Sequence, residues 1–173
     1  MTSKAAKAVS MSVYTVLEGE HLEVETLFKA LAAAPNIANT RTVLFKKLNL
    51  ELRSHTLAEQ RTVYDRVKDH DPDSKTIGHA ETEHQSMNKL LHELEQLEVT
   101  DDGWLLKLSE LRQIVNHHVR EEESKIFARM HLIFTDDQAK HMADDFQKHK
   151  HAELKRLKQT ESGNLGRHTQ ALA

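Results

Sequence analysis

This 173-residue sequence predicts an all-α fold, an antiparallel up-down four-helix bundle with an additional C-terminal helix. Three observations lead there. Apolar residues recur at spacings of three and four almost throughout, helix breakers are scarce (5 Gly and 2 Pro), and short breaks separate four long amphipathic segments. Amphipathic helices joined by short connections bury one stripe each in a common core.

Residues 1–10 read as a flexible N-terminus. In the first helix Tyr14, Leu17, His21, Val24, Phe28 and Leu31 lie on one face, and Ala34-Pro35-Asn36 ends it. A second helix is expected from about Asn39 to Lys68, with Leu44, Leu48, Leu52, His55, Glu59 and Val63 along its inner face. His70-Asp71-Pro72-Asp73-Ser74 breaks the chain, because the residue before a proline avoids helical backbone angles and Ser74 suits a helix cap. The third helix repeats the pattern of the first with Ile77, Ala80, His84, Met87, Leu91 and Leu94, and Asp101-Asp102-Gly103 closes the segment. A fourth, from about Trp104 to His131, carries Leu108, Leu111, Val115, His118, Glu122 and Ile126. The bundle therefore spans 11–133. A more polar helix follows over 134–159, ending near Lys158, with Thr135 and Gln138 at capping-box spacing, and 160–173 read as a disordered tail.

Composition narrows the chemistry. Without cysteine there is no thiolate ligand, disulfide or thiol nucleophile, so any metal must rest on nitrogen and oxygen. A formal charge of −3 with interspersed signs and 5% aromatic residues offers neither a basic stripe nor stacking platforms, so nucleic acid is not an expected partner. No apolar run is long enough for a membrane span, and no signal-peptide core opens the chain, so a cytoplasmic protein with no membrane partner is expected.

Thirteen histidines are the anomaly. Four of them fall on the four apolar stripes, where an imidazole destabilises unless its nitrogens find partners. His21 to His55 and His84 to His118 are both 34 residues apart, and a shift of 63 carries Glu18 to Glu81, His21 to His84, Leu48 to Leu111, His55 to His118, Glu59 to Glu122, Tyr64 to Phe127 and Arg66 to Arg129. Two helical hairpins of one design follow each other. His-x-x-x-Glu occurs six times, and only His55/Glu59 and His118/Glu122 both superpose under the shift and lie on an inward stripe. Residues i and i+4 stack on one helix face, so each pair aims an imidazole and a carboxylate at one interior point. With His21 and His84 the set is four imidazoles and two carboxylates, enough for two metal ions bridged by both carboxylates. Such donors suit iron, manganese or zinc.

In order and spacing, His21, His55-x-x-x-Glu59, His84 and His118-x-x-x-Glu122 resemble the hemerythrin-like (HHE cation-binding) domains over about residues 11–133. The resemblance implies a four-helix bundle around two iron ions, oxo- or hydroxo-bridged, with manganese or zinc as alternatives. It further implies His21 and His55 on one metal, His84 and His118 on the other, and Glu59 and Glu122 between them. Oxygen-carrying members have a further histidine one turn before the third-helix ligand, where this chain has Ala80, and an aspartate five residues after the last histidine, where it has Glu122 at four. The resemblance thus points away from reversible oxygen carriage and toward reaction with or binding of dioxygen, peroxide or nitric oxide, with catalase-like peroxide handling favoured. Whether the protein is an enzyme is left open. A non-enzymatic oxygen- or iron-binding sensor or storage module is the alternative, and a ferritin-like di-iron oxidase, built on Glu18-x-x-His21 and Glu81-x-x-His84, ranks below it. Glu18, Glu81 and Tyr14 are the candidates for an extra ligand. Lys148, Lys150 and Lys155 mark a solvated face of the last helix.

Overall fold

The computed structural model describes residues 11–34 and 37–170, with side chains up to residue 160. The expected flexible N-terminus (1–10), the Pro35-Asn36 part of the first break and the last three residues of the expected tail lie outside the described residues. The described residues form five helices and contain no strand. Helix α1 is Val13–Ala33. Helix α2 spans 38–70 as Ala38–Glu59, a π-helical turn Gln60–Tyr64 and Asp65–His70. Helix α3 is Lys75–Glu95. Helix α4 spans 102–133 as Asp102–Glu121, a second π-helical turn Glu122–Ile126 and Phe127–Ile133. Helix α5 is Asp136–Gln170, so the backbone stays helical past the expected end near Lys158 and through most of the stretch expected as a tail.

Local chemistry accounts for the helix starts. The Ser12 hydroxyl accepts from the Thr15 amide at the head of α1. Thr135 and Gln138 close the capping box that opens α5: the Gln138 amide donates to Thr135 Oγ1 (3.3 Å), and the Thr135 amide donates to Gln138 Oε1 (2.8 Å). Ser74 stands at the N-cap of α3, where its carbonyl rather than its hydroxyl takes the bond, from the Gly78 amide at 3.0 Å.

The core divides into two apolar layers. One holds Leu17, Tyr64, Ile77, Phe127, Met130 and Phe146, and the other Phe28, Leu31, Leu48, Leu91, Trp104 and Leu111. His21, His55, Glu59, His84, His118 and Glu122 lie between these layers along α1–α4, all buried. Helix α5 packs against α1 and α2 through a stripe of Ala139, Met142, Ala143 and Phe146. That stripe continues into Lys150, which is buried rather than solvated: its ammonium binds Glu20 on α1 and, at 2.7 Å, Glu51 on α2. Lys148 and Lys155 are exposed as expected.

Candidate metal centre

The two π-helical turns begin at or just after the carboxylates of the two His-x-x-x-Glu pairs. In a regular helix a residue five positions on points about 140° away. A π turn closes from i to i+5 and brings that residue back over the first. Hence Tyr64 lies inward with Glu59, and Phe127 inward with Glu122, each of them buried. Arg66 fastens the first turn to α5: Nη1 donates to the Thr62 carbonyl (2.8 Å) while Nη2 holds Asp145 of α5 (2.6 Å). Arg129, its repeat partner, pairs with Asp71 at 3.8 Å.

All six inward residues converge. His21, His55 and Glu122 form one cluster whose potential ligand atoms lie within 4.8 Å of one another, and Glu59, His84 and His118 form a second. Each hairpin supplies two imidazoles to its own cluster and its carboxylate to the other. Glu59 Oε2 lies 3.2 Å from His84 Nε2 and 3.8 Å from both His118 Nε2 and His55 Nε2. Glu122 Oε2 lies 3.2 Å from His21 Nε2 and 3.7 Å from His118 Nε2. Both carboxylates thus stand between the two pairs of imidazoles, as bridging groups must.

The rear nitrogens of two rings are held by carboxylates that the sequence reading passed over. His21 Nδ1 pairs with Glu123 at 2.8 Å, and His118 Nδ1 with Glu83 at 3.1 Å. Such contacts orient a ligating imidazole with Nε2 toward the metal. Their positions carried a signal: Glu123 follows Glu122 directly, and Glu83 precedes His84. The phenol near the centre is Tyr64, whose hydroxyl is 3.5 Å from His84 Nε2. Tyr14 instead stacks on His131 and meets the edge of Phe127. Glu18 is exposed and Glu81 is bound by Lys68, so neither reaches the centre and the ferritin-like scheme is not built. Of the other histidines, His70, His92, His131, His141, His149 and His151 are exposed, and Glu153 pairs with Arg156 rather than with His149 or His151.

The donor set fits metal. Both oxygens of Glu59 and of Glu122, at zero exposure, have no hydrogen-bond partner, and neither does His21 Nε2. Uncompensated buried carboxylates are strongly destabilising, and paired cations remove that penalty. Their electrostatics in the bare chain show the same tension. Burial and the neighbouring Glu59 charge raise the Glu122 carboxyl well above its ordinary range. For Glu59 burial pushes the same way, but the adjoining Glu122 carboxyl and the His118 and His84 imidazoles outweigh it and hold the group low. Burial, first of all, lowers His55 to about 3. His118 is also desolvated, which lowers it, yet Glu59 and Glu83 outweigh this and raise it to about 10.

These two histidines set opposite pH limits on the metal-free protein. Between pH 6.5 and about 3 the unfolded chain protonates His55 and the folded one does not, so stability falls as pH falls. Between pH 6.5 and about 10 the folded chain keeps a proton on His118 that the unfolded one releases, so that contribution is full below 6.5 and lost as pH rises. Thermal melts of chelator-treated protein across this range should peak near neutrality, and His118→Asn should flatten the alkaline limb. An alkaline limb unchanged in that variant contradicts the assignment.

A cleft of about 370 Å³ lies between α1 and α4, lined by Glu18, His21, Leu22, Glu25, Val115, Asn116, Val119, Arg120 and Glu123. It places one ring of the centre, His21, next to solvent.

The family model described as hemerythrin HHE cation binding domain matches residues 12–130. A crystal structure of a hemerythrin HHE cation binding domain-containing protein from Mycobacterium kansasii shares the fold, with a TM-score of 0.74 at 22% identity over 84% of this chain and 89% of that one. A curated relative, a DNA nickase of Nostoc sp. (strain PCC 7120 / SAG 25.82 / UTEX 2576), is 26% identical over 138 residues; the match takes in 79% of this chain and 38% of the relative's length. No helix among the described residues is long and apolar enough to cross a membrane.

Proposed function

The chain belongs to the hemerythrin HHE cation-binding domain family, a metal-binding helical family, and on that footing we propose that it is a non-haem di-iron protein that disproportionates hydrogen peroxide to water and dioxygen. One observation carries the reading: two fully buried carboxylates without hydrogen-bond partners stand between four converging imidazoles. His21 and His55 would hold one iron and His84 and His118 the other, with Glu59 and Glu122 as the carboxylate donors shared between them. Bound iron supplies the two-electron exchange that peroxide chemistry needs.

The remaining work belongs to the chain. Glu123 and Glu83 fix the ring orientations of His21 and His118. The cleft beside His21 admits a small oxidant, while the apolar layers on either side keep bulk water from the other rings. Tyr64 keeps its proton, because burial and then the Glu59 and Glu122 charges raise its pKa well above 10. Its hydroxyl is therefore a hydrogen-bond donor at the centre across the physiological range. A sensor that binds dioxygen or nitric oxide is the second reading, favoured by the contact of Phe146 on α5 with His55, through which a change at the centre reaches the last helix.

Metal analysis and the visible spectrum of the purified protein test the centre, with about two irons per chain and bridged di-iron absorption expected. A folded, colourless, metal-free protein overturns it. Oxygen release on adding peroxide then supports the enzyme, and stable ligand adducts without turnover support the sensor.

A further inference from the structure

Two His-x-x-x-Glu pairs left outside the buried centre face each other across α3 and α4. His79 and Glu83 lie on α3, and His117 and Glu121 on α4. His79 Nε2 is 3.6 Å from Glu83 Oε1 and 3.7 Å from Glu121 Oε2, and His117 Nδ1 is 2.7 Å from Glu83 Oε1. The two rings stand at 87° with centroids 6.0 Å apart, and the ligand atoms of His79, His117 and Glu121 all lie within 4.8 Å of one another. Unlike the centre, this cluster is open: the His79 and His117 side chains are 52% and 58% exposed.

We propose that His79, His117 and Glu121 form a second, surface site for a borderline divalent cation such as Zn²⁺, which pins α3 to α4 beside the buried centre. Three arguments converge on it. Two imidazoles with a carboxylate are the donors such cations prefer. Each i,i+4 pair presents its imidazole and carboxylate on one face, and two adjacent helices together present both pairs. Glu83 holds the geometry from below, with Oε1 on His117 and Oε2 on His118, so the outer cluster is anchored to the packed interior rather than to flexible surface chains. Lys125 already pairs with Glu121 and is the competitor the cation must displace.

The test uses the untagged, full-length protein with its buried metal as purified. Calorimetric titration with Zn²⁺ should show one Zn²⁺ bound per chain and a melting temperature that rises with Zn²⁺ concentration. His79→Asn alone should weaken that binding by about tenfold or more, and the His79→Asn/His117→Asn pair should abolish it together with the thermal shift. Both positions are exposed, so the variants keep the fold, which circular dichroism checks. Equal Zn²⁺ uptake by wild type and the double variant, or no uptake by wild type, overturns the proposal. The iron content of the same samples is read separately and bears only on the buried centre.

Discussion

Replacing Glu59 or Glu122 with Ala removes metal from the protein and leaves its helix content intact. Each carboxylate reaches both pairs of imidazoles: Glu59 Oε2 lies within 3.8 Å of three rings, and Glu122 Oε2 within 3.7 Å of two. In the proposed centre, removing either one would take a donor from both metal positions at once. Metal content per chain should therefore fall from about two to below one, not merely by half. The effect on the bare protein has the opposite sign. Glu59 and Glu122 are both fully buried with unsatisfied oxygens, and burial together with the neighbouring Glu59 charge makes an ionised Glu122 unfavourable. A neutral, similarly shaped side chain relieves that, so Glu122→Gln should stabilise the metal-free protein by about 1–3 kcal/mol in urea melts while abolishing metal uptake. Retention of two metals in both alanine variants refutes the bridging role.

Phe146→Ala should cost the metal-free protein about 3–5 kcal/mol and speed the loss of iron to a chelator. Phe146 is fully buried in the layer that α5 contributes, and its ring meets the edge of His55 at 5.6 Å. Truncation leaves a cavity directly over a ring of the centre. It also weakens the docking of α5, which otherwise rests on small Ala139 and Ala143, on Met142, and on the buried Lys150 with its Glu20 and Glu51 partners. Phe146→Leu keeps most of the volume and should cost less than about 1.5 kcal/mol, with iron release close to wild type. Equal iron release from all three proteins means that α5 does not cover the centre.

Several elements were legible because a helix converts spacing into direction. The stripes of α1, α3 and α4 are inward as the spacing of three and four demands, and the 63-residue repeat singled out four histidines from thirteen. Helix α2 was legible in extent but not in every contact: Leu44 is only partly buried, and Phe45 takes the core position. The π turns escaped notice because no proline or glycine announces them. Their trace was the inward pair five residues apart, Glu59 with Tyr64 and Glu122 with Phe127, kept by the repeat. Lys150 was misplaced on a solvated face, since a lysine is seldom buried and only two facing carboxylates from other helices make it so.

The sequence by itself determined that the chain is a helical bundle of two like hairpins and that an all nitrogen-and-oxygen donor set lines its interior, since both follow from periodicity within single helices. Tertiary structure alone decided that each hairpin's carboxylate serves the other hairpin's histidines, that Tyr64 rather than Tyr14 stands beside the centre, and that α5 closes over His55. Those are relations between residues of different helices. Helix rotation, the two π turns and side-chain packing across the core set them, and spacing along one chain does not encode them.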